Sequence, residues 1–279
     1  MAEKNDALSM MKRNQEQMEL IRERMGKVKH KIAVMSGKGG VGKTLVTVNL
    51  SLELALNNKV AILDADLTGP CVPKMMGLKG SRLDAGPAGI APVKGPRGVG
   101  VVSMDFLLPT DDSPVIWRGP LKTSAIKQFL GEVAWGELDY LLVDLPPGTG
   151  DESLSILQLL PKMDGVIIVT IPSEVSQAVV KKSITFAHKM NTPIFGLIEN
   201  MAGLVCPHCG ETINVFSEGG GAKVAEEMGV ELLGSIPLDP RISRDSDEGT
   251  PFIISHPDSA AAKSFKSIVE KIEEKVKNS

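Results

Sequence analysis

Eight residues, Gly37, Lys38, Gly39, Gly40, Val41, Gly42, Lys43 and Thr44, combine four glycines with two cations and a hydroxyl. Their spacing fits the phosphate-loop pattern G-x-x-x-x-G-K-[ST]. The strand-like run 31–36 precedes them and the helix-like run 45–54 follows, which is the context that pattern requires. Glycines let successive backbone N–H groups converge on one concavity, and the N-terminus of the following helix adds about half a positive charge. Such a cradle suits phosphates, so the ligand expected is a nucleotide. Lys43 would lie along its β- and γ-phosphates, and Thr44 would offer its hydroxyl to Mg²⁺.

Carboxylates at the ends of strand-like runs supply the second half of this chemistry, because ligands of open parallel sheets bind beyond the carboxyl ends of the strands. Three such ends are polar: Asp64 with Asp66, Asp144, and Glu199 with Asn200. Asp144 is expected to hold Mg²⁺ through water, Asp64 to support the ion, and Asp66 to orient the attacking water. The run Pro146, Pro147, Gly148, Thr149, Gly150 after Asp144 joins fixed φ to glycine freedom, as a loop that reports nucleotide state would.

Cys206 and Cys209 form a C-x-x-C pair around Pro207 and His208. Two thiolates can grip one metal ion or one edge of a cluster, whereas stable tetrahedral or iron–sulfur ligation takes about four sulfurs. A two-fold homodimer would supply the other two. The four sulfurs would hold a [4Fe-4S] cluster or zinc, and sequence does not separate these. A thiol–disulfide oxidoreductase would need the first Cys to open a helix, but residues 210–215 read as a loop or short hairpin. His208 is expected to face solvent. Cys71 is expected to be a small buried residue, and three cysteines in a chain of this size do not make a disulfide framework.

The elements that must position these groups alternate along the chain. Strands are expected over 31–36, 59–64, 99–104, 138–144, 165–170, 193–200 and 231–236, with helices between most of them. That alternation predicts an α/β three-layer sandwich with a mainly parallel central sheet. The 279 residues, 42% hydrophobic and 23% charged with net charge −3, fit one domain at 31–279, with the C-x-x-C loop at about 201–214. Residues 1–30 carry Leu8, Met11, Met18, Ile21 and Met25 and read as a strandless amphipathic helix or arm. Phe265, Ile268, Val269, Ile272 and Val276 share one face of a C-terminal helix, expected to pack on the core. The Gly- and Pro-rich stretch 79–97 reads as a surface loop. No apolar run nears the roughly eighteen residues that cross a bilayer, and no secretory segment opens the chain. Cytoplasmic location, no membrane and no nucleic acid are therefore expected.

The segments GKGGVGKT (37–44), DADLTGPCVPKMMGL (64–78), DYLLVDLPPGTGDE (139–152), IENM (198–201) followed by the C-x-x-C pair, and IPLDPRI (236–242) together resemble the Mrp/ApbC family of iron–sulfur cluster carriers, over roughly 30–275. The second lysine of the loop, Lys38, is similar to the signature lysine of MinD/ParA/nitrogenase-iron-protein ATPases. The resemblance implies a P-loop NTPase fold of that class, with Lys38 reaching the partner's nucleotide across a homodimer. It further implies slow ATP hydrolysis, a labile [4Fe-4S] cluster on the paired thiols, and apo iron–sulfur proteins as acceptors. Asn200 matches the position that faces adenine, and Pro237 opens the matching base-side loop. The chain departs from some relatives in lacking an N-terminal cysteine cluster, and in carrying Cys71 where many have a small hydroxyl. The competing readings are a MinD/ParA-type positional switch, to which the two thiols would be useless, a zinc-bridged dimeric ATPase, and a metal-dependent scaffold with negligible turnover.

Overall fold

Side chains of the central strands sort alternately to two faces, and this alternation builds the layers. A computed structural model describes residues 2–107, 119–206, 209, 211–216 and 219–278. Its strands are β1 (Val28–Ser36), β2 (Val60–Asp64), β3 (Asp84–Gly86), β4 (Gly89–Ala91), β5 (Val93–Lys94), β6 (Gly100–Ser103), β7 (Leu138–Asp144), β8 (Gly165–Thr170), β9 (Ile194–Val205), β10 (Thr212–Ile213) and β11 (Leu232–Leu238). Its helices are α1 (Ala2–Met25), α2 (Lys43–Leu54), α3 (Val72–Met75), α4 (Gly119–Glu132), α5 (Asp151–Leu159), α6 (Glu174–Lys189), α7 (Gly220–Met228), α8 (Arg241–Glu248), α9 (Phe252–Ser255) and α10 (Ala260–Lys277).

The main sheet runs β10-β9-β8-β1-β7-β2-β6-β5, with β11 also paired to β9. Pairing is parallel except for the short edge strands β5 and β10. Ile32, Val34, Ile62, Leu142, Ile167 and Val169 face α2, α9 and α10. Their neighbours Ala33, Met35, Leu63, Leu141, Val143 and Ile168 face α1, α4, α5, α6 and α7. A period of two therefore buries both faces of each strand, and the helices complete an α/β three-layer sandwich. Helix α2 is enclosed between sheet and α10, so even Thr47, Asn49 and Ser51 are buried.

All seven expected strands are present, and the five apolar residues expected on the C-terminal helix are buried in α10. Three local expectations are corrected. Strand β1 begins at Val28, inside the segment read as strandless, because Val28 pairs with Leu138 of β7. Stretch 79–97 is not simply a loop: β3 and β4 form a two-stranded ribbon, and β5 pairs with β6 and so covers the edge of the main sheet. In α1, Ile21 and Met25 are enclosed, Met18 packs half-buried against the same cluster, and Met11 is 71% exposed. The side chain of Leu8 lies outside the described residues.

Candidate functional site

The loop 37–44 joins the carboxyl end of β1 to the start of α2, at the centre of the sheet. Gly42 caps α2 with φ 82°. A Cβ there would stand 2.2 Å from Asn200 Nδ2, so left-handed φ and close approach both call for glycine. Asn200, buried at the middle of β9, donates from Nδ2 to the Val41 carbonyl at 2.9 Å and so fastens the loop from a strand two places along the sheet from β1. A Cβ at Gly39 or Gly40 would meet no atom within 4 Å, which leaves that side of the loop open to a ligand. No side chain caps the N-terminus of α2, so its first N–H groups keep their hydrogen-bonding capacity for an anion.

Asp144, fully buried at the end of β7, is the hub of the site. Its Oδ2 receives the Thr44 hydroxyl at 2.6 Å and lies 2.8 Å from Lys43 Nζ, while its Oδ1 receives the Thr47 hydroxyl at 2.7 Å. Thr47 was not singled out by sequence reasoning. Its position one helical turn beyond Lys43 and Thr44 was the available signal, since it shares their face of α2. The parallel register sets Asp64 of β2 opposite Asp144. Asp64 accepts hydrogen bonds from Ser103 Oγ, Val72 N and Asp66 N at 3.1 to 3.3 Å. Burial first, and then the Asp144 charge, hold its carboxyl well above the usual range. Ser103, at the end of the next strand outward, also escaped the sequence reading.

Asp66 is half-buried and closes the following turn by accepting from Thr68 Oγ1 at 3.0 Å and Gly69 N at 3.3 Å. Cys71 corrects an expectation. It is exposed, because it occupies the N-cap of the single-turn helix α3, outside the layers where small apolar residues pack. Lys38 is half-buried at the lip of the loop, where its carbonyl accepts from Ser36 Oγ at 3.0 Å. Gly148 N donates to Ser36 O at 2.9 Å, which ties the Pro- and Gly-rich segment after Asp144 to the same lip.

Asp64, Asp144 and Asn200 thus meet at one place, but Glu199 does not. Its carboxylate turns away to accept from Gly221 N at 2.6 Å and Ser235 Oγ at 3.2 Å. Register pairs Ile236 of β11 with Asn200, and Pro237 follows Ile236. Residues 237–241 with Ala260 and Ala261 line a cavity of about 430 Å³ there.

Strand β9 continues past Asn200 to the thiols. Cys206 N donates to Glu211 O at 2.9 Å and β10 pairs antiparallel with the end of β9, so the C-x-x-C pair sits at the tip of a hairpin rather than at a helix start. Cys206 is half-buried and Cys209 exposed, with Cys209 Sγ 4.0 Å from Glu211 Oε2. Pro207, His208 and Gly210 lie outside the described residues. Among the described residues, no three His, Cys, Asp or Glu side chains cluster in a way that could hold a metal ion. No helix among them is long and apolar enough to cross a membrane.

A family model described as ParA, NUBPL iron-transfer P-loop NTPase, matches residues 27–273. The chain is 58% identical over 250 residues to the iron-sulfur cluster carrier protein of Saccharolobus solfataricus, covering 89% of this chain and 84% of that one. Among solved structures it is similar to a nucleotide-binding protein from Archaeoglobus fulgidus in complex with ADP, at 44% identity and TM-score 0.75, covering 83% of this chain and 91% of that one. It is also similar to the cell division ATPase MinD of Pyrococcus furiosus, at 27% identity and TM-score 0.65, covering 88% and 99%.

Proposed function

The chain belongs to the family of iron-transfer P-loop NTPases of the Mrp/ApbC type, and from that premise we propose that it carries a [4Fe-4S] cluster on the paired Cys206 and Cys209 of a homodimer. ATP binding and slow hydrolysis govern the transfer of this cargo to apo iron–sulfur proteins. The observation that carries the reading is the course of β9, which fastens the phosphate loop through Asn200 and ends at Val205, the residue before Cys206.

The residues beside the loop suit Mg²⁺, because the Thr44 hydroxyl and the carboxylates of Asp144 and Asp64 are all hard oxygen donors. Thr44 would hold the ion directly, and Asp144 and Asp64 through its waters. Bound there, the ion neutralises charge on the phosphate oxygens. Lys43 pairs with Asp144 at 2.8 Å. The γ-phosphate competes for that ammonium, and Lys43 exchanges one anion for another without becoming an unpaired buried charge. Asp66 orients the water that attacks phosphorus as the bond to ADP breaks, and the partner's copy of Lys38 adds its charge to the same phosphates.

Asn200 also contributes to choice of base. Its Nδ2 is engaged by Val41 O, so the oxygen is the end of the amide left to accept from an exocyclic amine, as adenine offers and the guanine O6 does not. Pro237 and the cavity behind it close on the other side of the base.

The test is anaerobic reconstitution with iron, sulfide and zinc quantified per dimer and an absorption spectrum recorded. Cluster bound by the dimer, and lost in Cys206→Ala or Cys209→Ala with ATP binding intact, is the expected result. Full iron and sulfide in either variant refutes the shared-cluster reading. Zinc in place of iron leaves a zinc-bridged ATPase, and no metal at all leaves a positional switch of the MinD type.

A further inference from the structure

The phosphate loop and the base-side loop 237–241 are joined by a polar strut that the nucleotide contacts themselves do not require. One end is Asn49, 1% exposed on α2. Its Nδ2 donates to Leu45 O at 2.8 Å, which fixes the amide, and its Oδ1 accepts the backbone N–H of Ile253 in α9 at 3.2 Å. The other end is His256, whose N–H donates to Phe252 O at 2.8 Å and so closes the same helical turn. The His256 ring lies 5.1 Å from the Phe252 ring. Arg241 of the base-side loop reaches over both: its guanidinium is 5.8 Å from the Phe252 ring centre, and its Nη1 is 3.4 Å from His256 Nδ1.

Behind the imidazole stands Asp245 of α8, 3% exposed, with Oδ2 3.0 Å from His256 Nε2. Neither atom makes a hydrogen bond among the described residues, so the two meet at ion-pair distance and not along a donor–acceptor line. With Nδ1 facing a guanidinium N–H, the imidazole hydrogen belongs on Nε2, toward the carboxylate. Arg241 in turn holds Asp239 through Nε at 2.9 Å and Nη2 at 2.6 Å, a two-pronged clamp that stiffens the loop itself. A chain of contacts therefore runs from α2 through α9 and His256 to Arg241 and Asp239.

We propose that Asn49, His256 and Asp245 are positioning residues that set the span between the phosphate and base subsites, holding the base-side loop where the purine of a phosphate-anchored nucleotide must lie. This rests on the nucleotide-binding reading above. Its particular consequence is that loss of the strut weakens binding of the base and spares binding of the phosphates.

Calorimetric titration of the full chain with Mg²⁺-ATP and with Mg²⁺-tripolyphosphate separates the two. In His256→Ala the ATP Kd is expected to rise about tenfold while that for tripolyphosphate stays within about twofold. The KM for ATP rises with kcat unchanged, and His256→Gln, which restores a donor toward Asp245, recovers most of the loss. Equal weakening of both ligands, or unchanged ATP affinity, in a folded variant overturns the proposal. Should His256→Ala fail to fold, Asp245→Asn, which removes the charge facing the imidazole, decides by the same comparison. A wild-type protein that binds neither ligand sinks the nucleotide reading itself, which the variants alone would not do.

Discussion

Gly249 offers a test of the packing that joins the acidic side of the site to its base side. It ends α8 at φ 72°, and a Cβ built there would stand 2.8 Å from Gly77 Cα, 2.9 Å from Lys74 O and 3.2 Å from Gly77 N. These are backbone atoms of the last turn of α3 and of Gly77 just beyond it, and α3 begins at the Val72 N–H that holds Asp64. Gly229 ends α7 in the same left-handed conformation, φ 64°, but a Cβ there meets nothing within 4 Å. Gly229→Ala should therefore cost only the left-handed penalty, about 1–2 kcal/mol. Gly249→Ala adds displacement of a packed backbone, about 1–3 kcal/mol, for a sum of roughly 2–5 kcal/mol. At this chain length that lowers Tm by roughly 3–9 °C. Urea and thermal unfolding without nucleotide measure both variants. Gly77→Ala, whose Cβ would lie 2.6 Å from Gly249 O, should fall with Gly249→Ala, and the pair should be non-additive. Equal losses at Gly229 and Gly249 would refute the argument, because the left-handed penalty alone would then explain both.

Lys43→Ala should abolish measurable ATP binding, and it should also unfold more easily, since it strips the cation from a wholly buried Asp144 and leaves the Thr44 and Thr47 hydroxyls as partners. A loss of about 3–5 kcal/mol is expected in urea titrations without ligand, and ATP affinity within a few-fold of wild type would count against the assignment. Tyr140 is the chain's single tyrosine, and its phenol is pushed up from 10.0 to about 12, chiefly by burial and then by the charges of Glu273, Asp139 and Asp164. The folded state keeps that proton while the unfolded state loses it, so stability falls as pH rises from 10 toward 12. Tyrosinate absorbance should appear near pH 12 or with alkaline unfolding. A reversible midpoint at 10 in the folded protein would show the ring to be solvated.

What was legible in the sequence was local or periodic. The loop 37–44 announces itself because a phosphate cradle needs glycines and a cation at fixed spacing, and Asp64, Asp144 and Asn200 stood out as polar ends of apolar runs. Ser103 was missed because its value comes from register, which sets it beside Asp64 once β6 pairs with β2, and Thr47 because it matters only once α2 packs against Asp144 at the end of β7. Glu199 misled for the complementary reason, since only the fold shows its carboxylate accepting from Gly221 N. Strands of two or three residues, such as β4 and β5, are too short to display a period and form because the edge of β6 and the facing β3 present unpaired N–H and C=O groups. Cys71 was placed inside by residue type, yet its position at a helix N-cap governs its exposure.

The proposed cycle requires nucleotide state to be felt at thiols some distance from it. Six residues of extended chain separate Asn200 from Cys206, at most about 20 Å, so no side chain spans the gap directly. A uniform strand would hold the thiols at a fixed offset from Asn200, and β9 is not uniform over this stretch. Met201 lies at φ 59° and Gly203 at φ 75°, and the pairing with β11 slips between Ile236 and Leu238. A side chain at φ 59° is strained, and such strain persists only where surrounding contacts enforce it. The contact that fastens the preceding residue is the Asn200 bond to Val41 of the phosphate loop. A nucleotide whose amine draws on the Asn200 oxygen would re-aim the amide whose Nδ2 holds Val41, and Met201 and the hairpin bearing Cys206 would turn with it. Nucleotide would then act on the cluster through the backbone of β9, with no need for the two ligands to touch.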